Sequence, residues 1–386
     1  MAKPVYIETS SEARDLASTL AGEARIALDC EAAGFHRYSD RLCLLQLSTA
    51  TDHFIVDPLA FDPAELLRPV LENPGVEVIM HGSDYDLRLL DRDLGIRLSG
   101  LFDTQVVASL LGESALGLSA LLERYLGVSL SKKHQRADWA RRPLPDEMLQ
   151  YAVADTAHLH SLADLLEEAL DARARLEWAR EEFLRLEELR WEEPDVDRDP
   201  VLRVKRAWEL PPRELARLRE ALLWRDGIAR TRDRAPFRVA GDPALVEVAS
   251  RNPSSREELA AVPGFPPALA RSGEGEDLLE RLRVVNALPE SSLTPHPPRE
   301  RRGAGRPLPE TEELAERLKT VRNRRAEELG LDRGVLLPNG VLLEVARSEP
   351  RSTEELLAVP GMRRWQVEAL GADLLRSLGG QAPSGR

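Results

Sequence analysis

The sequence predicts an α/β domain over residues 1–195 followed by two small all-α helical domains, over 200–286 and 307–380, joined by a linker over 287–306. Three observations carry that division. Short apolar runs alternate with helical periodicity as far as about residue 190, a polar break follows from Glu192-Glu193-Pro194 to Pro200, and the rest of the chain repeats itself. Leu245-Val246-Glu247-Val248-Ala249 recurs as Leu342-Leu343-Glu344-Val345-Ala346, an offset of 97 residues. The same offset carries Glu257-Glu258-Leu259 onto Glu354-Glu355-Leu356 and Val262-Pro263-Gly264 onto Val359-Pro360-Gly361 without a gap, which marks a duplication. Two copies are too few for a solenoid, so each is read as a compact unit.

In chain order, Val5-Tyr6-Ile7 reads as a strand, and Ser10 or Ser11 as the cap of a helix ending at Leu20. Residues 25–32, 41–48 and 53–57 are three strands with tight connections, an antiparallel meander. Residues 63–72 are helical, Glu77 to Met80 is an apolar strand, and a helix carries Tyr85 to Asp93. Leu101 to Thr104 is a short strand running into a helix over 105–111. Such mixing of meander and crossover predicts a mixed sheet covered by helices on both faces. One helix is expected over 147–166, and another from about Ala163 through Trp178 to Leu189.

The formal charge, 53 basic against 66 acidic residues or −13, argues against a general polyanion binder, so any nucleic-acid site has to be locally basic. Two such places exist. Ser131-Lys132-Lys133-His134-Gln135-Arg136-Ala137-Asp138-Trp139-Ala140-Arg141-Arg142-Pro143 reads as a solvated loop or a phosphate-facing flap, and residues 201–240 hold 11 Lys and Arg against 5 Asp and Glu. Cys30 and Cys43 are the only cysteines, both in apolar runs, which suggests core residues in a reducing compartment. The amino terminus lacks a signal-peptide pattern, and no apolar run reaches the roughly 18 residues needed to span a bilayer. A cytoplasmic protein without membrane contact is expected. No oligomerisation signal stands out, and a monomer is expected.

The chemistry centres on Ile26-Ala27-Leu28-Asp29-Cys30-Glu31. Alternation puts Asp29 and Glu31 on one face of a buried strand. At roughly 4 Å two carboxylates repel by about 4 kcal/mol at an effective dielectric near 20, so the pair needs cations, a shared proton or full solvation. Alone, it is equally consistent with a solvated strand edge. Asp84 and Asp86 follow another buried strand, where α/β folds tend to place their chemistry, and Tyr151 and Asp155 stack one helical turn apart. Asp103 reads as a helix cap.

Taken as an ordered set, Asp29-Cys30-Glu31, His81 to Leu87, Phe102-Asp103-Thr104, Asp138-Trp139 to Leu144 and Tyr151 to Asp155 resemble the motifs of the DEDD exonucleases with a tyrosine in the last motif, and within them ribonuclease D. Residues 200–286 and 307–380 resemble the helicase-and-ribonuclease-D C-terminal (HRDC) domain. The resemblance implies a ribonuclease H-like fold and a 3′–5′ exoribonuclease trimming tRNA precursors and other stable RNA to nucleoside 5′-monophosphates. It implies metal ligation by Asp29, Glu31, Asp86 and Asp155, with Asp86 chosen over Asp84 because it directly precedes the aliphatic Leu87. Four carboxylates suit two hard divalent cations, Mg²⁺ or Mn²⁺. Tyr151, with an ordinary pKa near 10, is assigned to orienting the attacking water. The expected substrate-facing residues are His81, Lys132, Lys133, Arg136, Trp139, Arg217 and Arg225. The sequence departs from the usual first motif at Cys30 and over Ala32-Ala33-Gly34-Phe35, which bears on how the terminal nucleotide is held. A DNA exonuclease and a noncatalytic nucleic-acid adaptor are the competing readings.

Overall fold

The computed structural model describes residues 4–131, 133–193, 198–297 and 308–379. Lys132, residues 194–197 of the polar break, residues 298–306 of the expected linker and the tail over 381–386 lie outside the described residues.

Six strands form one mixed sheet: β1 (Val5–Ile7), β2 (Arg25–Ala32), β3 (Leu42–Ser48), β4 (His53–Val56), β5 (Glu77–Met80) and β6 (Leu101–Asp103), in the order β1-β4-β3-β2-β5-β6. The meander β2-β3-β4 is antiparallel, while β1 on β4, β5 on β2 and β6 on β5 pair in parallel. All seven residues of β3 are buried, so both of its faces are covered, as its unbroken apolar run requires.

Helices α1 (Ser10–Leu20), α2 (Ala64–Leu71), α3 (Asp84–Leu89), α4 (Thr104–Leu111), α5 (Leu118–Leu126), α6 (Asp146–Thr156), α7 (Leu159–Asp171) and α8 (Leu176–Glu187) complete the first domain. The cap of α1 is Thr9, one residue before the expected serines: its hydroxyl accepts from the Glu12 amide while the Glu12 carboxylate accepts from the Thr9 amide. The two long helices expected over 147–189 are three. The chain breaks at Ala157-His158 and again before α8, where Ala174 has φ 52° and the buried Arg175 donates to the carbonyls of Leu110 and Leu329, 2.6 Å each. That second break is held by contacts distant in sequence, which helical periodicity does not register.

The position of the site follows from register. β5 pairs with β2 only along Arg25–Ala27, so β2 continues past its neighbour and carries Asp29 and Glu31 beyond the end of the parallel ladder. There β5 turns away through His81-Gly82-Ser83 into α3. Asp103 clamps this turn: buried at the end of β6, its carboxylate accepts from the amides of Gly82, Ser83, Gln105 and Val106 and from the Ser83 hydroxyl. The cap expected of Asp103 is present, and it also holds the segment that leads to Asp86.

The two repeats fold alike and dock differently. The first comprises α9 (Pro212–Thr231), α10 (Pro236–Val239), α11 (Asp242–Arg251), α12 (Arg256–Ala260), α13 (Pro267–Ala270) and α14 (Gly273–Asn286), with a core of its own. The second comprises α15 (Pro309–Leu329), α16 (Arg333–Leu336), α17 (Asn339–Ser348), α18 (Thr353–Leu357), α19 (Arg364–Gln366) and α20 (Ala372–Ser377), and its core is continuous with that of the sheet domain. Trp178 of α8 stacks on Trp365 at 4.9 Å, and Glu182 accepts from the Trp365 indole at 2.8 Å. Glu181 receives the amides of Arg364 and Trp365. The described start of the expected linker is not free: Arg213 donates to the carbonyls of Val285, Asn286 and Leu288, and Arg219 to those of Thr294 and Pro295.

Gly112, at the end of α4 with φ 84°, lies so close to the second repeat that a Cβ there would overlap the carbonyl oxygen of Gly330. Gly112→Ala is expected to destabilise the protein by more than the roughly 1 kcal/mol that a left-handed backbone costs a non-glycine residue, since two backbones must also separate. A fall in the denaturation midpoint with faster amide exchange in α15 checks this; wild-type exchange there contradicts it.

Candidate active site

Asp29 and Glu31 project from β2 toward α6, which lies across β2, β3 and β4 and is pinned there by the buried bond between Ser48 Oγ and Thr156 Oγ1, 2.7 Å. The facing turn of α6 presents Tyr151 and Asp155. Asp29, Glu31 and Asp155 each offer an oxygen within 4.8 Å of the others. Asp86 enters from α3, 8% exposed, outside that trio but close enough for its charge to act on Glu31 and on Asp29. Asp84, two residues earlier, lies at the surface and pairs with Arg88 at 3.1 Å.

The electrostatics are those of like charges kept from water. Burial, then the field of Asp29, pushes Asp155 up to about 8. Burial and the charges of Asp29, Asp155 and Asp86 push Glu31 up to about 10, and burial pushes Asp29 up to about 6. Asp86 is held well above the usual carboxylate range by burial, Asp29 and Asp103. Tyr151 is raised by burial and by Asp155, Glu31 and Asp29, so its phenol keeps its proton. None of the four acids has a side-chain cation as partner among the described residues. An all-oxygen cluster, partly buried and without internal counter-charge, fits hard divalent ions.

The expected substrate-facing residues fare unequally. His81 sits at the turn after β5 with Nδ1 on the Thr104 hydroxyl at 2.9 Å and Nε2 buried without a partner; burial lowers its pKa, which favours the neutral ring. Lys133 is bound to Glu147, while Arg136 is exposed. Trp139 does not face substrate: it is 2% exposed and lies 5.9 Å behind the Tyr151 ring, so it positions the tyrosine.

Arg217 and Arg225 are also corrected. Arg217 is buried in the core of the first repeat. Arg225 donates to the Ala240 carbonyl and to Asp242, and 97 residues on Arg322 donates to the Leu337 carbonyl and to Asn339. An arginine doing the same internal bonding in both copies serves the helical fold. Other arginines of residues 201–240 are also paired within the protein, Arg219 with the partly buried Asp199 at 2.7 Å and Arg230, at the surface, with Asp226 at 3.2 Å.

Sequence reasoning missed Gln46. It lies directly across from Asp29 in the β2–β3 ladder, wholly buried, with neither side-chain atom partnered. The available signal was one carboxamide inside an otherwise apolar buried strand.

Residues 4–171 match a family model described as 3′–5′ exonuclease, and residues 214–282 and 311–378 each match the HRDC domain. Ribonuclease D of Pseudomonas paraeruginosa is 30% identical over 92% of this chain and 92% of its own length. Among solved structures, a protein from Bifidobacterium adolescentis superposes with a TM-score of 0.82 at 26% identity over 98% of both chains. The catalytic core of RRP6 from Trypanosoma brucei superposes with a TM-score of 0.64 at 29% identity, over 75% of this chain and 84% of that one. With the carboxylate cluster at the strand end and the duplicated helical domains behind it, the chain belongs to the ribonuclease D family of 3′–5′ exoribonucleases.

Proposed function

We propose that Asp29, Glu31, Asp86 and Asp155 hold two divalent cations, Mg²⁺ or Mn²⁺, and that the enzyme removes nucleoside 5′-monophosphates singly from the 3′ ends of tRNA precursors and other stable RNAs, as a cytoplasmic monomer. The observation that carries this reading is the trio Asp29, Glu31 and Asp155, with oxygens within 4.8 Å and no side-chain cation among the described residues to balance them. When bound, such ions supply a water of lowered pKa and offset charge on the leaving oxygen. The protein's own groups do the rest. Tyr151 stays protonated, so it orients the attacking water as a hydrogen-bond donor or acceptor and does not act as general base. Trp139 behind it restricts the phenol. The Thr104 hydroxyl donates to the Met80 carbonyl at 3.0 Å and so accepts from His81 Nδ1, which leaves Nε2 of the neutral ring as an acceptor and gives His81 the role of holding the turn after β5. Among the described residues no helix is long and apolar enough to cross a membrane, which agrees with a substrate met in solution.

A time course with Mg²⁺ or Mn²⁺ on matched RNA and DNA single strands labelled at the 5′ end tests the reaction. A one-nucleotide ladder on RNA, absent in Asp29→Ala, is expected; preferential cutting of DNA contradicts the choice of substrate. Tyr151→Phe is expected to lower kcat by about 10²-fold with little change in KM, the range for losing one group that aligns a proton-transferring water. A KM effect alone would make Tyr151 a binding residue.

The raised carboxyl pKa values fix the sign of a pH effect. The folded site binds protons more tightly than the unfolded chain does, so its contribution to stability begins to fall once pH passes the ordinary carboxylate values of about 4 and is fully lost above about 10, the highest of the folded values. In EDTA, Glu31→Gln is therefore expected to melt increasingly above wild type over that interval. Mn²⁺ is expected to raise the wild-type Tm more than the variant's. Parallel melting curves at every pH would show that the carboxylates do not repel as described.

A further inference from the structure

The loop that leaves the carboxylate strand carries an aromatic side chain into water, and the first helical domain brings a second one beside it. Phe35 is 38% and Phe237 50% exposed, with ring centroids 5.5 Å apart. Guanidinium groups flank both rings: Arg238 lies 4.7 Å from the Phe35 centroid and 5.9 Å from that of Phe237, and Arg136 lies 5.5 Å from Phe35. Arg238 is fixed by its Nε on the Phe35 carbonyl at 2.8 Å, and Arg136 makes no ion pair among the described residues. Asp138 and Asp233, acids that the same loop meets, are both engaged by Arg37. Positive charge therefore surrounds two half-exposed π faces in a chain of net charge −13.

We propose that Phe35, Phe237, Arg136 and Arg238 form a nucleobase-stacking site for single-stranded RNA, built jointly by the exonuclease domain and the first HRDC domain. Aromatic faces with adjoining guanidinium groups accept any base by stacking and attract the phosphates on either side. Phe35 lies four residues along the chain from Glu31, a reach of at most about 14 Å, so the site lies beside nucleotides just 5′ of the reacting end. It is also tied to the metal-binding acids: the Asp40 carboxylate accepts from the Gly34 amide at 2.8 Å and from the hydroxyl of Tyr85, the neighbour of Asp86. An apolar protein segment would gain nothing from the two cations, which is why RNA is the chosen occupant.

This inference rests on the exoribonuclease reading, and the experiment separates the two. For the full chain, kcat/KM is measured on an octanucleotide and a dinucleotide of RNA, for wild type, Phe237→Ala and Phe237→Trp. The octamer-to-dimer ratio is expected to fall about tenfold in Phe237→Ala, the worth of one stacked base, and to return in Phe237→Trp. A ratio equal to wild type in Phe237→Ala, or an equal loss on both lengths, overturns the stacking site. If wild type cuts no RNA, the catalytic reading falls. Photocrosslinking of a 5-iodouridine octamer in EDTA then decides the site by itself, with adducts at Phe35 or Phe237 for it and none against it.

Discussion

Mutual repulsion among Asp29, Glu31, Asp86 and Asp155 is the constraint that the rest of the molecule is built to withstand. Each acid has been drawn out of water and, among the described residues, none has been given a side-chain cation. Such a cluster persists because rigid elements deliver its members from different directions. β2 is paired on both sides before it emerges, α6 is locked to β3 by Ser48 and Thr156, and the turn into α3 is held by Asp103. The cost of collecting the charges is met by packing elsewhere, chiefly the fully buried β3.

A second organising node is the loop over 34–40. Its residues bind four different parts of the protein: Asp40 meets Tyr85 and Arg92, Arg37 meets Asp138, Tyr38 meets Asp226, and His36 accepts the Ala235 amide through its carbonyl. The first helical domain reaches the sheet domain mainly here. Whatever displaces that domain therefore pulls on the segment immediately after Glu31, which gives binding at a remote surface a short mechanical route to the metal-binding acids.

Much of this was legible in the sequence, for identifiable reasons. The strands were readable because their apolar runs are short and bounded, and the meander because its connections are tight. The trio of acids was reached through the resemblance of the ordered motifs, since the pair on one strand face reads equally as a solvated edge and a tyrosine one helical turn from an aspartate is ordinary on a surface helix. Asp86 and Asp84 could not be told apart by spacing; what separates their environments is that one turns inward and the other finds Arg88 at the surface. Arg217, Arg225 and Trp139 misled for a common reason. A count of charges or rings along the chain is blind to which carbonyl, acid or ring meets it from another element, and all three side chains turned inward. The same blindness hid the break before α8, where Arg175 binds carbonyls 65 and 154 residues away in sequence. Gln46 went unnoticed because its meaning lies in its cross-strand neighbour, Asp29.

The union of the second helical domain with the core of the sheet domain has a consequence for the order of synthesis. Trp178 on α8 waits for Trp365, nearly two hundred residues further along, and Leu110 and Leu329 share one arginine. Until the segment over 309–377 has emerged from the ribosome, Phe183 of α8 can already pack on Phe102 of β6, but the Trp178 ring on the same helix lacks the partner that covers it in the finished fold.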